Sequence, residues 1–280
     1  MTVPLLGKWY DTRIGVPRYL RSRPRTGNLG VKPESDARLD LVSVAFNNPE
    51  MVATQANLLA SRLEDPYELC VVDNSSDAVA TVEVASVAAR SGSHYLRPPA
   101  LPVSVRRDPS LSHGLTLNWA YRNWLAPRGA SFVGTLDHDV FPLRRTSLID
   151  ELGGEVIWGL PQERLDDPSI WYPWPGLTVI DARQLDLRSV DLRPDSRRGY
   201  DTGGGLLERA VSISGRPIAA ARPRVEHRYQ RFDGSTDPQS SYVELIDDWV
   251  HVINGSNWAE SPWTAGKVEF VKGLTGPPTN

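Results

Sequence analysis

The chain has 280 residues, 40% of them hydrophobic and 23% charged, with a net charge of −3. That length builds one large domain or two small ones around a substantial core. The composition is that of a globular protein, and the slight acidity argues against a general nucleic-acid binder.

No apolar stretch approaches the roughly 20 residues of a membrane helix, and the N-terminus, MTVPLLGKWYDTRIG, lacks a long apolar signal core. Cys70 is the one cysteine, so no intramolecular disulfide forms. A soluble protein of the reducing cytoplasm is expected. Residues 1–38 carry eight basic side chains (Lys8, Arg13, Arg18, Arg21, Arg23, Arg25, Lys32, Arg38) against three acids (Asp11, Glu34, Asp36), a net +5 that leaves −8 for the remainder. The stretch RYLRSRPRTGNLG reads as a solvated, mobile arm. The alternative is a basic flap over an anionic ligand, or a contact between subunits of a homo-oligomer.

From residue 39 the pattern is regular. LDLVSVAF (39–46) is a buried strand. EMVATQANLLASRL (50–63) places Val52, Ala56, Leu59 and Leu63 on one helical stripe. YELCVVD (67–73) is a second buried strand, closed by the polar turn NSSD. DAVATVEVASVAAR (77–90) reads as a helix and HYLRP (94–98) as a short strand. LTLNWAYRNWLA (115–126) is a helix with Leu117, Ala120, Tyr121 and Trp124 on one face, and SFVGTLDHDVF (131–141) is the next strand. Alternation of this kind predicts a mostly parallel α/β sheet with helices on both faces. Ligands of such sheets sit beyond the carboxyl ends of the strands, so FNN, DNSSD and DHD are expected on one rim.

After about residue 150 the pattern loosens. EVIWGLPQ and GLTVIDA read as strands, and TGGGLLERAVSIS (202–214) as a helix entered through glycines. Three regions are expected: a basic extension (1–38), a regular α/β half (39–150) and a looser half with a C-terminal segment (151–280).

Asp137 and Asp139 lie two apart at the lip of a buried run. In an extended strand they point to one side, and paired carboxylates suit a hard cation such as Mg²⁺ or Mn²⁺. A turn or capping role is the alternative. His251, in WVHVING, reads as a structural histidine or a ligand. The GSNW that follows brings Ser256 and backbone N–H groups toward phosphate oxygens. Lys267 is a phosphate point charge or a solvated surface lysine. Trp171 and Trp174, in WYPWPG, stack on an acceptor or fill a core. Asp201, before GGG, is an N-cap or a general base.

LVSVAFNNPEMVATQANLLASRLEDPYELCVVDNSSD (41–77) and SHGLTLNWAYRNWLAPRGASFVGTLDHDVF (112–141) resemble the opening blocks of family-two-like glycosyltransferases of the GT-A fold. The likeness covers roughly residues 39–145. WYPWPGLTVID, YDTGGGL and WVHVINGSNW resemble the later blocks more loosely. The resemblance implies a Rossmann-like, mostly parallel sheet with a smaller acceptor-side sheet. It implies that Asp139 ligates the metal bridging a donor diphosphate, that Asp137 joins it or holds the ribose, and that His251 is a third ligand. Asp73 would accept from a nucleobase, uracil N3–H, beside Asn74. Val44 and Phe46 would flank the base, Asn47 would shape the loop, and His113 would touch the nucleotide. Asp201 would face the acceptor.

The activity so implied is transfer of a hexosyl group from a nucleoside-diphosphate sugar, a UDP-sugar, to a glycan, natural product or peptide, with Mn²⁺ or Mg²⁺ as cofactor and with inversion if Asp201 is the base. The rivals are a phosphate-ester hydrolase, a catalytically inactive nucleotide-sugar-binding protein and a nucleotidyltransferase. DHDVF lacks the threonine expected of the hydrolase.

Overall fold

The computed structural model describes residues 11–29, 39–106, 108–163, 171–195, 199–206, 225–229 and 242–253, with single positions 267, 270 and 273. Ten strands and five principal helices are described. In chain order they are α1 (Val16–Arg21), β1 (Leu39–Ala45), α2 (Pro49–Arg62), β2 (Tyr67–Asp73), α3 (Ala78–Arg90), β3 (His94–Leu96), α4 (Pro109–Ala120), β4 (Phe132–Asp137), β5 (Val140–Pro142), α5 (Leu148–Leu152), β6 (Ile157–Glu163), β7 (Trp171–Asp181), β8 (Val225–Tyr229), β9 (Tyr242–Ile246) and β10 (Trp249–His251). None of the described helices is long and apolar enough to cross a membrane.

The main sheet has the order β3-β2-β1-β4-β7-β6. Strands β1 to β4 are parallel, and β7 alone runs against its neighbours. A second sheet, β5-β10-β9-β8, is antiparallel throughout. The expected mostly parallel α/β architecture, with a smaller second sheet, is therefore what the chain adopts.

β1 is buried along all seven residues because both its faces are covered, which is why it is apolar apart from the buried Asp40 and Ser43. Val42 and Val44 pack with Leu115, Trp119 and Trp124 of the α4 side. Leu39 and Leu41 pack with Ala56 and Leu59 of α2 on the opposite face. Three helices start on a side-chain oxygen followed by proline or alanine: Asn48 accepts from Met51 N, Asp77 from Ala80 N and Asp108 from Leu111 N. Each satisfies an otherwise orphaned N–H of a first turn.

Two expectations are corrected. The run 131–141 is not one strand: β4 ends at Asp137, His138 and Asp139 form a turn, and β5 joins the other sheet. Nor are residues 16–29 a solvated arm. Val16 and Tyr19 are buried in the main core, and Thr26 bridges Arg97 in antiparallel fashion beyond β3. Gly27 makes that close approach possible, with φ +97° and a Cβ position only 2.0 Å from Tyr95 O, a place no side chain can occupy.

Candidate functional site

The carboxyl ends of β1, β2 and β4 lie level. Ala45 pairs with Asp73 and Val44 with Asp137. Asn47, in the left-handed region at φ 51°, ties two of the tips together. Its N–H donates to Ser75 Oγ, and its Oδ1 accepts from Ser76 N and Asp77 N. Asparagine tolerates this backbone conformation. Asn74 Nδ2 donates to Ser112 Oγ at 3.1 Å, joining the β2 tip to the start of α4.

The turn carrying Asp139 is fixed from three directions. His138 points inward and its Nδ1 lies 2.9 Å from Val44 O. Gln55 Nε2, from α2, donates to Asp137 O and Val140 O. Val252 N donates to Asp139 O at 2.9 Å. Pairing of β10 with β5 sets His251 opposite Val140, so His251 arrives beside Asp139 with Nε2 3.8 Å from Oδ2. Glu244 Oε2 lies 2.6 Å from His251 Nδ1.

Asp137 is turned to His113, whose Nε2 is 3.1 Å from Oδ1. Burial opposes charge on both partners, yet the pair wins. The His113 imidazole is held above its ordinary value by Asp137, with Asp139 and Asp201 behind it. The Asp137 carboxyl is held below its own, chiefly by His113. His251 is also raised against burial, by Asp139 and Glu244 and then Asp137. Carboxylates that outnumber nearby cations in a buried cluster are stabilised by protons on the histidines or by a bound cation.

Among the described residues no set of three or more such side chains converges tightly enough to hold a metal. Asp139 and His251 form a pair that fits one. Two ligands each at ~2.1 Å from a shared ion stand about 3–4 Å apart.

At the same rim lies a cleft of about 390 Å³, lined by Phe46, Asp73, Asn74 and Ser112 and by the three arginines Arg25, Arg97 and Arg106. Asp73 forms part of its floor with no exposed side-chain surface. Its Oδ1 accepts from Ser75 N and its Oδ2 from Tyr95 OH, and Arg97 Nη1 is 3.7 Å away. Burial and the neighbouring Asp73 together push the Tyr95 phenol up.

The other sequence candidates are scattered more widely. Val44 is buried in the core and offers its carbonyl to His138 rather than a surface to the cleft. Asp201 is exposed, and its Oδ1 accepts from Thr202 N at 2.7 Å while its own N–H donates to Tyr172 OH. Trp174 leans on His251, ring centroids 4.6 Å apart, and covers Gly176. Lys267 is buried rather than solvated, with Nζ donating to Ile253 O at 2.8 Å. Ser256 and the Trp171 side chain lie outside the described residues.

Glu244, Gln55, Arg97 and Arg106 were missed, while Arg25 lies in the basic stretch whose alternative reading is a flap over an anionic ligand. Gln55 sits inside a helical stripe and Glu244 on a strand that sequence reading did not identify. Of the missed residues Arg97 alone carried a legible signal, since it lies near the carboxyl end of the strand expected over 94–98.

No protein-family model matches the chain, and no curated protein does. Among solved structures the chain is similar to the bifunctional glycosyltransferase WbbM in its apo form, at 12% identity and a TM-score of 0.37, over 55% of this chain and 33% of that one. It is similar to the mannosyltransferase PcManGT from Pyrobaculum calidifontis in complex with GDP-Man and Mn²⁺, at 16% identity and a TM-score of 0.42, over 78% of this chain and 62% of that one. The galactosyltransferase LgtC, in complex with donor and acceptor sugar analogs, matches at 17% identity and a TM-score of 0.49, over 85% of this chain and 95% of that one. The chain thus spans a third of WbbM and under two thirds of PcManGT. Likeness at such low identity concerns the fold alone, and the solved structures it concerns are glycosyltransferases.

Proposed function

We propose that the protein is a divalent-metal-dependent glycosyltransferase that uses a nucleoside-diphosphate sugar, a UDP-sugar, as donor and a hydroxyl-bearing acceptor. The observation that carries this reading is the meeting of Asp139 and His251 at 3.8 Å, on the rim where ligands of such sheets bind and next to a cleft of nucleotide size.

In this reading Asp139 and His251 hold Mn²⁺ or Mg²⁺. The ion, when bound, neutralises charge developing on the departing diphosphate. Asp137 stays with His113 and presents the pair to the ribose or diphosphate. Phe46 and Asn74 flank the base. Asp73, whose oxygens accept from Ser75 N and Tyr95 OH, is the acceptor proposed for a base N–H. Uracil offers acceptor, donor and acceptor along one edge, and the Asp73–Arg97 pair supports that pattern. Asp201 stands across the rim as the base that takes the acceptor's hydroxyl proton. A base in line with attack on the anomeric carbon gives inversion. Trp174, on β7 and stacked against His251, borders the acceptor side.

The test is a thermal-shift series with UDP, GDP, ADP and CDP, each with Mn²⁺ or with EDTA. A ligand that binds only the native state raises its apparent stability. UDP is expected to give the largest shift, dependent on Mn²⁺ and lost in Asp139→Asn. A shift indifferent to Mn²⁺, or unchanged in Asp139→Asn, removes the metal from the reading. Turnover of a UDP-sugar then tests transfer.

A further inference from the structure

The cleft has an excess of positive charge that a neutral nucleobase does not explain. Three guanidiniums line it, from Arg25, Arg97 and Arg106, and one carboxylate, Asp73. Arg97 lies nearest that carboxylate, at 3.7 Å, and so balances it. Arg25 and Arg106 are then in surplus.

Both are placed by the backbone. Arg25 Nε donates to Pro98 O at 3.0 Å and Arg106 Nε to Leu101 O at 2.7 Å. Arg97 Nη2 donates to Ser75 O at 3.2 Å. An arginine anchored through Nε keeps its terminal N–H groups for a ligand, in the planar fork that suits oxyanions. Arg25 reaches this wall only because its segment docks on β3. Arg25 N donates to Arg97 O and Arg97 N to Thr26 O. Burial and the nearby Arg97 and Arg106 hold the Arg25 guanidinium below its ordinary value, with Asp73 opposing.

We propose that Arg25 and Arg106, flanked by Arg97, form a metal-independent site for a phosphate-type dianion in this cleft, and that the N-terminal segment exists in part to complete it. The phosphate is either a group of the donor nucleotide or a free anion. Only the first of these rests on the nucleotide reading above.

The test uses the full chain in EDTA at low salt, with inorganic phosphate titrated calorimetrically. Saturable binding is expected. Arg25→Gln and Arg106→Gln should each weaken it about tenfold, the usual scale for one lost charge-assisted contact, with an unchanged melting temperature in phosphate-free buffer. Asp139→Asn should leave it intact. UDP that displaces phosphate assigns the group to the nucleotide, and UDP that binds alongside it assigns a free anion. The proposal is overturned if phosphate does not bind, or binds equally well to both arginine variants. Loss of all UDP binding with phosphate binding retained would sink the nucleotide reading and leave this one standing.

Discussion

Glu244 holds the imidazole of His251 from behind, with Oε2 2.6 Å from Nδ1, while Nε2 faces Asp139 at 3.8 Å. A carboxylate in that position puts the hydrogen of a neutral imidazole on Nδ1 and leaves Nε2 as the lone pair. Glu244→Ala is therefore expected to lower Mn²⁺ affinity about 10–100-fold, the range for partners that orient a ligating histidine. Mn²⁺ titration followed by electron paramagnetic resonance measures it. An affinity equal to the parent's would show that Glu244 does not set the imidazole.

Gly27 has φ +97° and no room for a Cβ. Gly27→Ala should undock residues 22–29 from β3 at a cost of about 1–3 kcal/mol, the scale of a strained left-handed residue. Limited trypsin digestion reads the outcome directly, because Arg21 and Arg25 lie just before the strained position. Cleavage there should be faster while the rest of the chain stays protected.

Arg128 is buried across the strand starts. Its Nε lies 2.9 Å from Asp40 Oδ2, it also pairs with Glu68, and its guanidinium lies 4.4 Å from the Trp124 ring centroid. Burial pushes the Asp40 carboxyl up even with Arg128 beside it. Arg128→Met strands that carboxylate and should destabilise by about 3–5 kcal/mol in urea unfolding. Adding Asp40→Leu should recover part of the loss, since the unpaired charge is then gone. No recovery would place the cost in packing on Trp124 instead.

Asp181 gives a pH dependence of known sign. Its carboxyl is held low chiefly by Arg183, whose Nε and Nη2 donate at 2.7 Å, against an opposing effect of burial and with help from Gln184. A depressed carboxyl contributes stability that is fully present above its unfolded value of about 3.9 and fades as pH falls through the folded value. Asp181→Asn should therefore be less stable than the parent at pH 7, with the gap closing toward pH 3. A gap constant across that range in denaturant titrations would contradict the assignment.

Much of the sheet was legible because central strands buried on both faces are mostly apolar, as β1 and β2 are apart from Asp40, Ser43, Glu68 and Asp73. The stripe through Val52, Ala56 and Leu59 announced α2 for the same reason of burial. Asp137 and Asp139 could be picked out by position, but their geometry could not. The break between β4 and β5 arises because Val140 pairs with His251, a partner far along the chain that local periodicity does not reveal. The start of α4 was missed although Asp108 and Pro109 are a good cap, because the apolar stripe begins only later. Val16 and Tyr19 were lost in a basic stretch too short to show a face, and only packing on Trp119 and its neighbours explains their burial.

Where Thr26 meets Arg97, the main sheet's outermost parallel strand acquires a covering. Bare backbone at such a margin recruits strands from other molecules and seeds insoluble assemblies. A shortened chain beginning at residue 39 would leave that margin naked, along with the apolar surface that Val16 and Tyr19 now occupy. Poor recovery of such a truncation from expression would then reflect colloidal failure rather than damage at the candidate site.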